Sequence, residues 1–414
     1  MVKKRTLAQR IQHLQLVVLL AVTFTLGYTL GTQQSTASAQ DAIQTTEEVF
    51  APLFQAYELI QDQYINDIET DALVNGAIRG MVEELDDPYS NYVEPEFYEF
   101  VDSDLSGEIE GIGVVITETE DGEAIEILDV LEDSPASRSG IEVGDIFYEV
   151  DGENAFGMTF LELASRVRGR AGTTVNLTMQ RGDDLVIFDV ERARIVIPNV
   201  EYELLPGDIA YVQLQQFSSP AQEQLEAAFA DLDVNARNGL VLDLRGNPGG
   251  FLSAAVNIAG LFIDEGTLLI EEFSDGRVET FVVEGGAAYR VDVDGNRSLY
   301  SSSATYADIT VPIVVLVDER SASASELVSG AWQDNDVVTV IGTKTFGKGT
   351  VQIQNQLVNG GGMRLTIARW LTPSGVWISE QGVTPDIVVA PSDNGEDDTQ
   401  LKAALEYIGS LNAE

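Results

Sequence analysis

Residues 239–251 read GLVLDLRGNPGGF, and this string narrows the fold more than any other part of the chain. Its first half is an apolar run of strand length, the pattern of a strand buried in a covered sheet. Its second half is a glycine turn that calls for positive φ, and an apolar helical stretch follows from Leu252. The alternation recurs over residues 200–395: a strand at Asp208–Gln213 leads through a loop to a helix opening at Ser219-Pro220, a good N-cap and first-turn pair. The periodicity specifies a mixed α/β body.

Two further strings carry chemistry. SASASE spans Ser321–Glu326, and TFGKGTVQ spans Thr345–Gln352. The only histidine, His13, lies in the N-terminal segment and there is no cysteine, so Ser–His and Cys–His nucleophiles and thiolate metal sites are excluded from the rest of the chain. A lysine can replace the histidine of a hydrolase if burial strips its charge. Each string also has a plain structural reading. Ser323 and Glu326 form S-x-x-E ahead of Leu327, Val328, Ala331 and Trp332, which is a capping box with an apolar stripe behind it. Lys348 alone would be a solvated turn lysine. Gly342–Lys348 also mimics the G-x-x-x-x-G-K phosphate loop, but Gly349 stands where the metal-holding hydroxyl should be. The residues after it, TVQIQNQL, alternate like a strand, which rules out a nucleotide site there.

Together the two strings resemble the carboxyl-terminal processing proteases, serine endopeptidases that carry a PDZ domain. The resemblance spans about residues 50–390 and implies a set of roles. Ser323 would be the nucleophile, Lys348 the general base and Gln352 the residue that orients the lysine. Backbone N–H groups of Gly249 or Gly250 and of Ala324 would form the oxyanion hole, and Asp334 in AWQD would be an acidic support. Residues 105–193 resemble the PDZ domain. Gly111-Ile112-Gly113-Val114 would be its carboxylate-binding loop, VVIT its peptide-pairing strand, and Ser134–Gly152 its most recognisable stretch.

The implied architecture is α/β and multi-domain. It has a signal peptide or membrane anchor with linker (1–40), an N-terminal helical region (41–104), the PDZ domain, a Clp/crotonase-like protease core (194–395) and a C-terminal helix or tail (396–414). Val49, Phe50, Leu53, Phe54, Tyr57, Ile60 and Tyr64 recur at helical spacing, as do Leu73, Ala77, Ile78, Met81 and Leu85. Core packing accounts for these residues and for DDPYSNYV (Asp86–Val93) without a catalytic role. Residues 266–311 are longer and more polar than the family pattern and read as a hairpin or loop excursion.

Charge and the N-terminus bound the partners. With 68 acidic against 23 basic residues the net charge is −45, a surface that repels nucleic acid and anionic lipid. Lys3, Lys4, Arg5 and Arg10 precede an apolar run from Leu14 to about Leu30, so the remainder is expected to be exported. Ala37-Ser38-Ala39 offers a cleavage site, while the length of the run favours an uncleaved anchor at the plasma membrane. The expected partners are proteins or peptides with free C-termini, with room for a regulatory protein and a homo-oligomer; no cofactor or metal is required. Two other classes fit parts of the chain: a non-catalytic PDZ scaffold, and a crotonase-type acyl-transfer or hydratase enzyme.

Overall fold

The computed structural model describes residues 47–98, 108–119, 122, 124–304, 306–392 and 397–413. The expected signal peptide or anchor lies outside them, and among the described residues no helix is long and apolar enough to cross a membrane.

The chain divides into two units, Met1–Gly80 and Met81–Glu414. In the first, residues 47–63 form a helix, and a second helix, Thr70–Glu83, begins there. The helical spacing is realised, but the expected burial is not. Val49, Leu53, Phe54 and Tyr64 are all exposed, because two helices alone cannot enclose an apolar face.

The second unit contains three sheets that matter for function. The first is antiparallel, in the order Val114–Glu118, Ile125–Val130, Ile146–Val150, Thr174–Arg181, Asp184–Glu191. It closes over Ile127, Phe147, Leu177 and Met179 together with Leu163 of the helix Phe160–Val167. That helix starts at a complete capping box of Thr159 and Glu162, which satisfies two N-terminal N–H groups. Two short strands, Glu108–Gly111 and Ala193–Val196, pair antiparallel where the chain enters and leaves this body.

The second sheet runs Val200–Leu205, Ile209–Leu214, Gly239–Asp243, Ile313–Val317, Thr339–Gly342, Ile387–Val388; only its first pair is antiparallel. Gly239–Asp243 is buried at every position because both faces are covered. Leu240 and Leu242 face the helices Ala221–Asp231, Leu252–Phe262 and Ala324–Asp334. Val241 faces the other way, onto Ala404 and Ile408 of the C-terminal helix Thr399–Leu411. Arg245 fastens that helix by pairing with both buried Asp243 and Asp398, its N-cap.

The third sheet is an antiparallel cap of seven strands. Its path is Asn91–Val93, Gly362–Leu371, Glu265–Phe273, Val278–Glu284, Ala287–Asp292, Arg297–Ser301, with Thr350–Gln356 also paired to Gly362–Leu371. The polar excursion at 266–311 is therefore a β-meander that widens the sheet carrying the strand after Lys348. Thr350–Gln356 is a strand, as the alternation of TVQIQNQL predicts, and not the helix that a phosphate loop requires.

Candidate active site

Parallel pairing of Gly239–Asp243 with Ile313–Val317 brings the loops at their C-terminal ends side by side, the usual place for a site in such a sheet. These loops are GNPGG and SASAS. Ser321 Oγ donates to Leu244 O (2.8 Å) and Ser325 Oγ to Asn247 O (2.9 Å), and Ala322 N–H donates to Asn247 O (3.0 Å). Both outer serines are fully buried, so their hydroxyls are spent on holding the loops together. Ser323 is half-buried and sits at φ 55°, ψ −113°, a backbone state that a non-glycine residue adopts only under strain. Such a kink at the mouth of a helix holds a hydroxyl up into a cleft.

Gly249 lies against this kink. At φ +101°, a Cβ on it would be 2.8 Å from Ser323 Cβ and 2.9 Å from Ala324 N, so only glycine fits. Its own N–H donates to Asn247 Oδ1 (2.9 Å). Gly250 is bridged to Phe217 through its neighbours: Phe217 N–H donates to Gly249 O and Phe251 N–H to Phe217 O. Among the described residues the N–H groups of Gly250 and Ala324 are left without a partner beside Ser323. Fully buried Asn247, which sequence reasoning missed, links the two loops and also donates to Leu214 O (2.8 Å).

Lys348 occupies the turn between Thr339–Gly342 and Thr350–Gln356. Burial pulls its pKa down to about 8, with help from the nearby Arg364 cation and against the pull of Glu326 and Asp87. Its Nζ lies over the ring of Tyr89, 5.0 Å from the centroid. Tyr89 and Asp87 belong to DDPYSNYV, which was expected to serve packing alone. The segment reaches the lysine because Asn91–Val93 pairs with Gly362–Arg364 of the cap. Gln352 lies two strand periods beyond Lys348, and its amide donates to Thr350 Oγ1 (2.9 Å) and Thr366 Oγ1 (3.2 Å) and accepts from Arg364 (3.4 Å).

One buried carboxylate joins the two motifs. Glu326 is fully buried; its Oε2 accepts from the backbone N–H of Ser323 and of Lys348, both at 2.8 Å. Its Oε1 accepts from Thr345 Oγ1 and Gly347 N–H, both at 2.6 Å. The glutamate half of the expected capping box is thus present, and the same side chain holds the lysine turn.

Ser323 lines a cleft of about 80 Å3 walled by Leu252, Leu327, Val351 and Trp370 together with the polar side chains of Thr350, Gln352 and Arg364. Asp334 is not brought to this cleft. It is exposed at the far end of Ala324–Asp334, where its Oδ2 accepts from Ser374 N–H (2.8 Å).

The glycine loop at 111–114 borders a larger groove of about 310 Å3, between the edge strand Val114–Glu118 and the helix Phe160–Val167. Ile112, Phe147, Leu163 and Val167 line it. Gly113 (φ +81°) packs where a Cβ would come within 2.4 Å of Ser134 Cβ. An edge strand beside an apolar groove can accept one more strand and bury its alternate side chains.

Residues 208–389 match the model of peptidase family S41, residues 126–181 that of the PDZ domain, and residues 20–97 that of the N-terminal domain of the activating protease CtpB. The carboxy-terminal processing protease CtpA of Bacillus subtilis (strain 168) is 34% identical over 396 residues, 92% of this chain and 80% of that one. The carboxy-terminal-processing protease of Bartonella bacilliformis is 35% identical over 354 residues, 84% of this chain and 76% of the other. A solved photosystem II D1 C-terminal processing protease aligns with 86% of this chain and 90% of its own, at 29% identity and a TM-score of 0.46. With relatives this similar along most of its length, and with its serine, glycine turn and PDZ groove in one molecule, the chain belongs to the carboxy-terminal processing serine proteases of peptidase family S41.

Proposed function

We infer that the chain is an exported endopeptidase in which Ser323 is the nucleophile and Lys348 the general base. The observation that supports this most is the buried Glu326 carboxylate, which bonds the backbones of both residues at 2.8 Å and so fixes the nucleophile kink relative to the lysine turn. The neutral amine takes the Ser323 proton as Oγ attacks a peptide carbonyl, then returns it to the leaving amine. The N–H groups of Gly250 and Ala324 face the developing oxyanion, a role that the bond from Gly249 N–H to Asn247 leaves to Gly250. The small cleft, with Gln352 and Arg364 beside its apolar wall, suits a short side chain on the residue before the cut bond. Gln352 serves the lysine once its stem swings toward Ser323.

The groove beside Gly111–Val114 captures the C-terminus of the substrate, with backbone N–H groups on the carboxylate and apolar side chains around the last residue. The basic, then apolar N-terminal segment holds the enzyme at the outer face of the plasma membrane. A scaffold with no catalysis would need neither a strained, half-buried serine nor a lysine stripped toward neutrality.

The test is turnover of an unstructured protein with an apolar C-terminus by the purified chain. Ser323→Ala should abolish cleavage with little change in folding. Lys348→Arg should also be inactive although the charge is kept, because a guanidinium does not give up its proton. In the wild type kcat/KM should rise with pH through about 8 as the Lys348 ammonium becomes a free amine. Cleavage by either variant, or a rate flat across the neutral range, overturns the assignment.

A further inference from the structure

The backbone of Lys348 is tied on both sides: its N–H donates to Glu326 and its C=O accepts from Trp370 Nε1 (3.1 Å). Only the four-carbon stem is free to choose where the amine rests. That resting place is the face of Tyr89, 5.0 Å from the ring centroid, and among the described residues Nζ has no hydrogen-bond partner.

Tyr89 is built into position. Its N–H donates to Asp87 Oδ1 (3.1 Å), and the next residue, Ser90, donates to Asp87 Oδ2 and accepts from Thr366 N–H (3.1 Å). The strand Asn91–Val93 then joins the cap sheet. The charged groups around the amine are Arg364, which repels it, and Glu326 and Asp87, which attract it through space. Around the phenol are the carboxylates of Glu326, Asp87 and Glu380. The two nearest carboxylates are already engaged, Glu326 by four donors and Asp87 by Tyr89 and Ser90, which leaves the ring face as the direct contact.

We propose that Tyr89 is a positioning residue that seats the protonated Lys348 amine on its ring face between turnovers and so sets how readily the free base forms. This rests on the Ser323–Lys348 reading. A carboxylate in the same place would bind the ammonium by a charge-assisted hydrogen bond and keep it protonated. A ring face attracts only the cation, and weakly, so the neutral amine leaves it freely for Ser323. The ring, not the hydroxyl, makes this contact.

The experiment compares the full chain with Tyr89→Phe, Tyr89→Leu and a series carrying phenylalanine with one, two or three ring fluorines at position 89. Fluorination drains the ring face at nearly constant shape, so the series still decides the matter if the leucine variant fails to fold. Two readouts are taken: the pH profile of kcat/KM, and the titration of Lys348 followed by NMR of 13C-labelled lysine in a Ser323→Ala background. The chain has only five lysines, Lys3, Lys4, Lys344, Lys348 and Lys402, so the signals can be assigned one by one.

Tyr89→Phe should keep both midpoints. Tyr89→Leu should move both down by about half to one pH unit, and each added fluorine should move them down in steps. Midpoints that ignore both the leucine change and fluorination would overturn the proposal, as would a phenylalanine variant that behaves like the leucine one. The dyad fails separately, if Lys348→Arg still cleaves or the activity limb does not track the Lys348 signal. In that case the NMR arm alone decides the ring contact.

Discussion

Glu326 is the residue whose loss should disturb the site most without touching substrate. A carboxylate can accept at every lone pair, and here its two oxygens meet four donors, one from Ser323 and three from Thr345–Lys348. Glu326→Gln turns one acceptor into a donor that faces other donors. Two bonds are lost and two N–H or O–H groups are left buried, which should cost about 2–4 kcal/mol of stability and at least tenfold in kcat. Denaturant unfolding and steady-state kinetics on the purified variant check this; wild-type turnover in a folded Gln variant would mean that the clamp does not hold the site. At this scale the local signals were readable in sequence. SASASE marked the turn that carries Ser323, and S-x-x-E predicted that Glu326 would reach back to Ser323. The second half of the Glu326 interaction was not readable, because Thr345, Gly347 and Lys348 come to it only through the pairing of Ile313–Val317 with Thr339–Gly342. Asp334 shows the converse. The resemblance implies an acidic support there, yet the helix Ala324–Asp334 carries it about 16 Å from Ser323.

Among the elements, the cap sheet holds the strangest chemistry. Glu271 is 3% exposed and sits directly across from Glu279 on the neighbouring strand, with Arg290 and Arg277 as the nearby cations. Burial pushes the Glu271 carboxyl up to about 7, with Arg290 opposing and Glu279 assisting. Since this folded value lies above the unfolded one, the native state binds more protons between about pH 4.5 and 7. Its stability contribution is therefore complete at the acid end of that window and is lost as pH rises through 7. Glu271→Gln should remove the loss and stabilise the cap at neutral pH by up to about 3 kcal/mol, with little gain near pH 4. Thermal unfolding at the two pH values measures it, and an equal shift at both would show that Glu271 is not buried as a neutral acid. The meander itself was legible only as an excursion. Its polar sequence alternates, but a strand's face acquires meaning from its partners, and Glu265–Phe273 finds one in Gly362–Leu371, about a hundred residues on. The same long-range pairing explains why Tyr89 looked like packing: Asn91 meets Arg364 in the sheet, and nothing local to DDPYSNYV announces it.

On the scale of the whole molecule, two sites of different character share one unit: a cleft of about 80 Å3 at Ser323 and a groove of about 310 Å3 at Gly111–Val114. The first is too small to choose among proteins, since a cleft that holds one short side chain discriminates by only a few methylenes. Under the proposed function, selection comes from the larger groove, where an added strand would gain backbone bonds along Val114–Glu118 and bury its final side chain on Ile112, Phe147 and Leu163. A free carboxylate at the end of that strand meets backbone N–H groups, whereas a terminal amide brings its own donors to the same place. Paired peptides that differ only in C-terminal amidation should therefore differ in affinity by about 1.5–3 kcal/mol, the range for a hydrogen bond to a charged group. With a net charge of −45 the protein repels acidic peptides at long range, so the comparison belongs at about 0.15 M salt, where screening confines the difference to the groove. Excision of residues 105–193 should make cleavage indifferent to amidation, whichever way the overall rate moves. Equal affinity and equal cleavage of the free-acid and amidated peptides by the intact chain would reduce the groove to a structural role and leave substrate choice to the serine cleft alone.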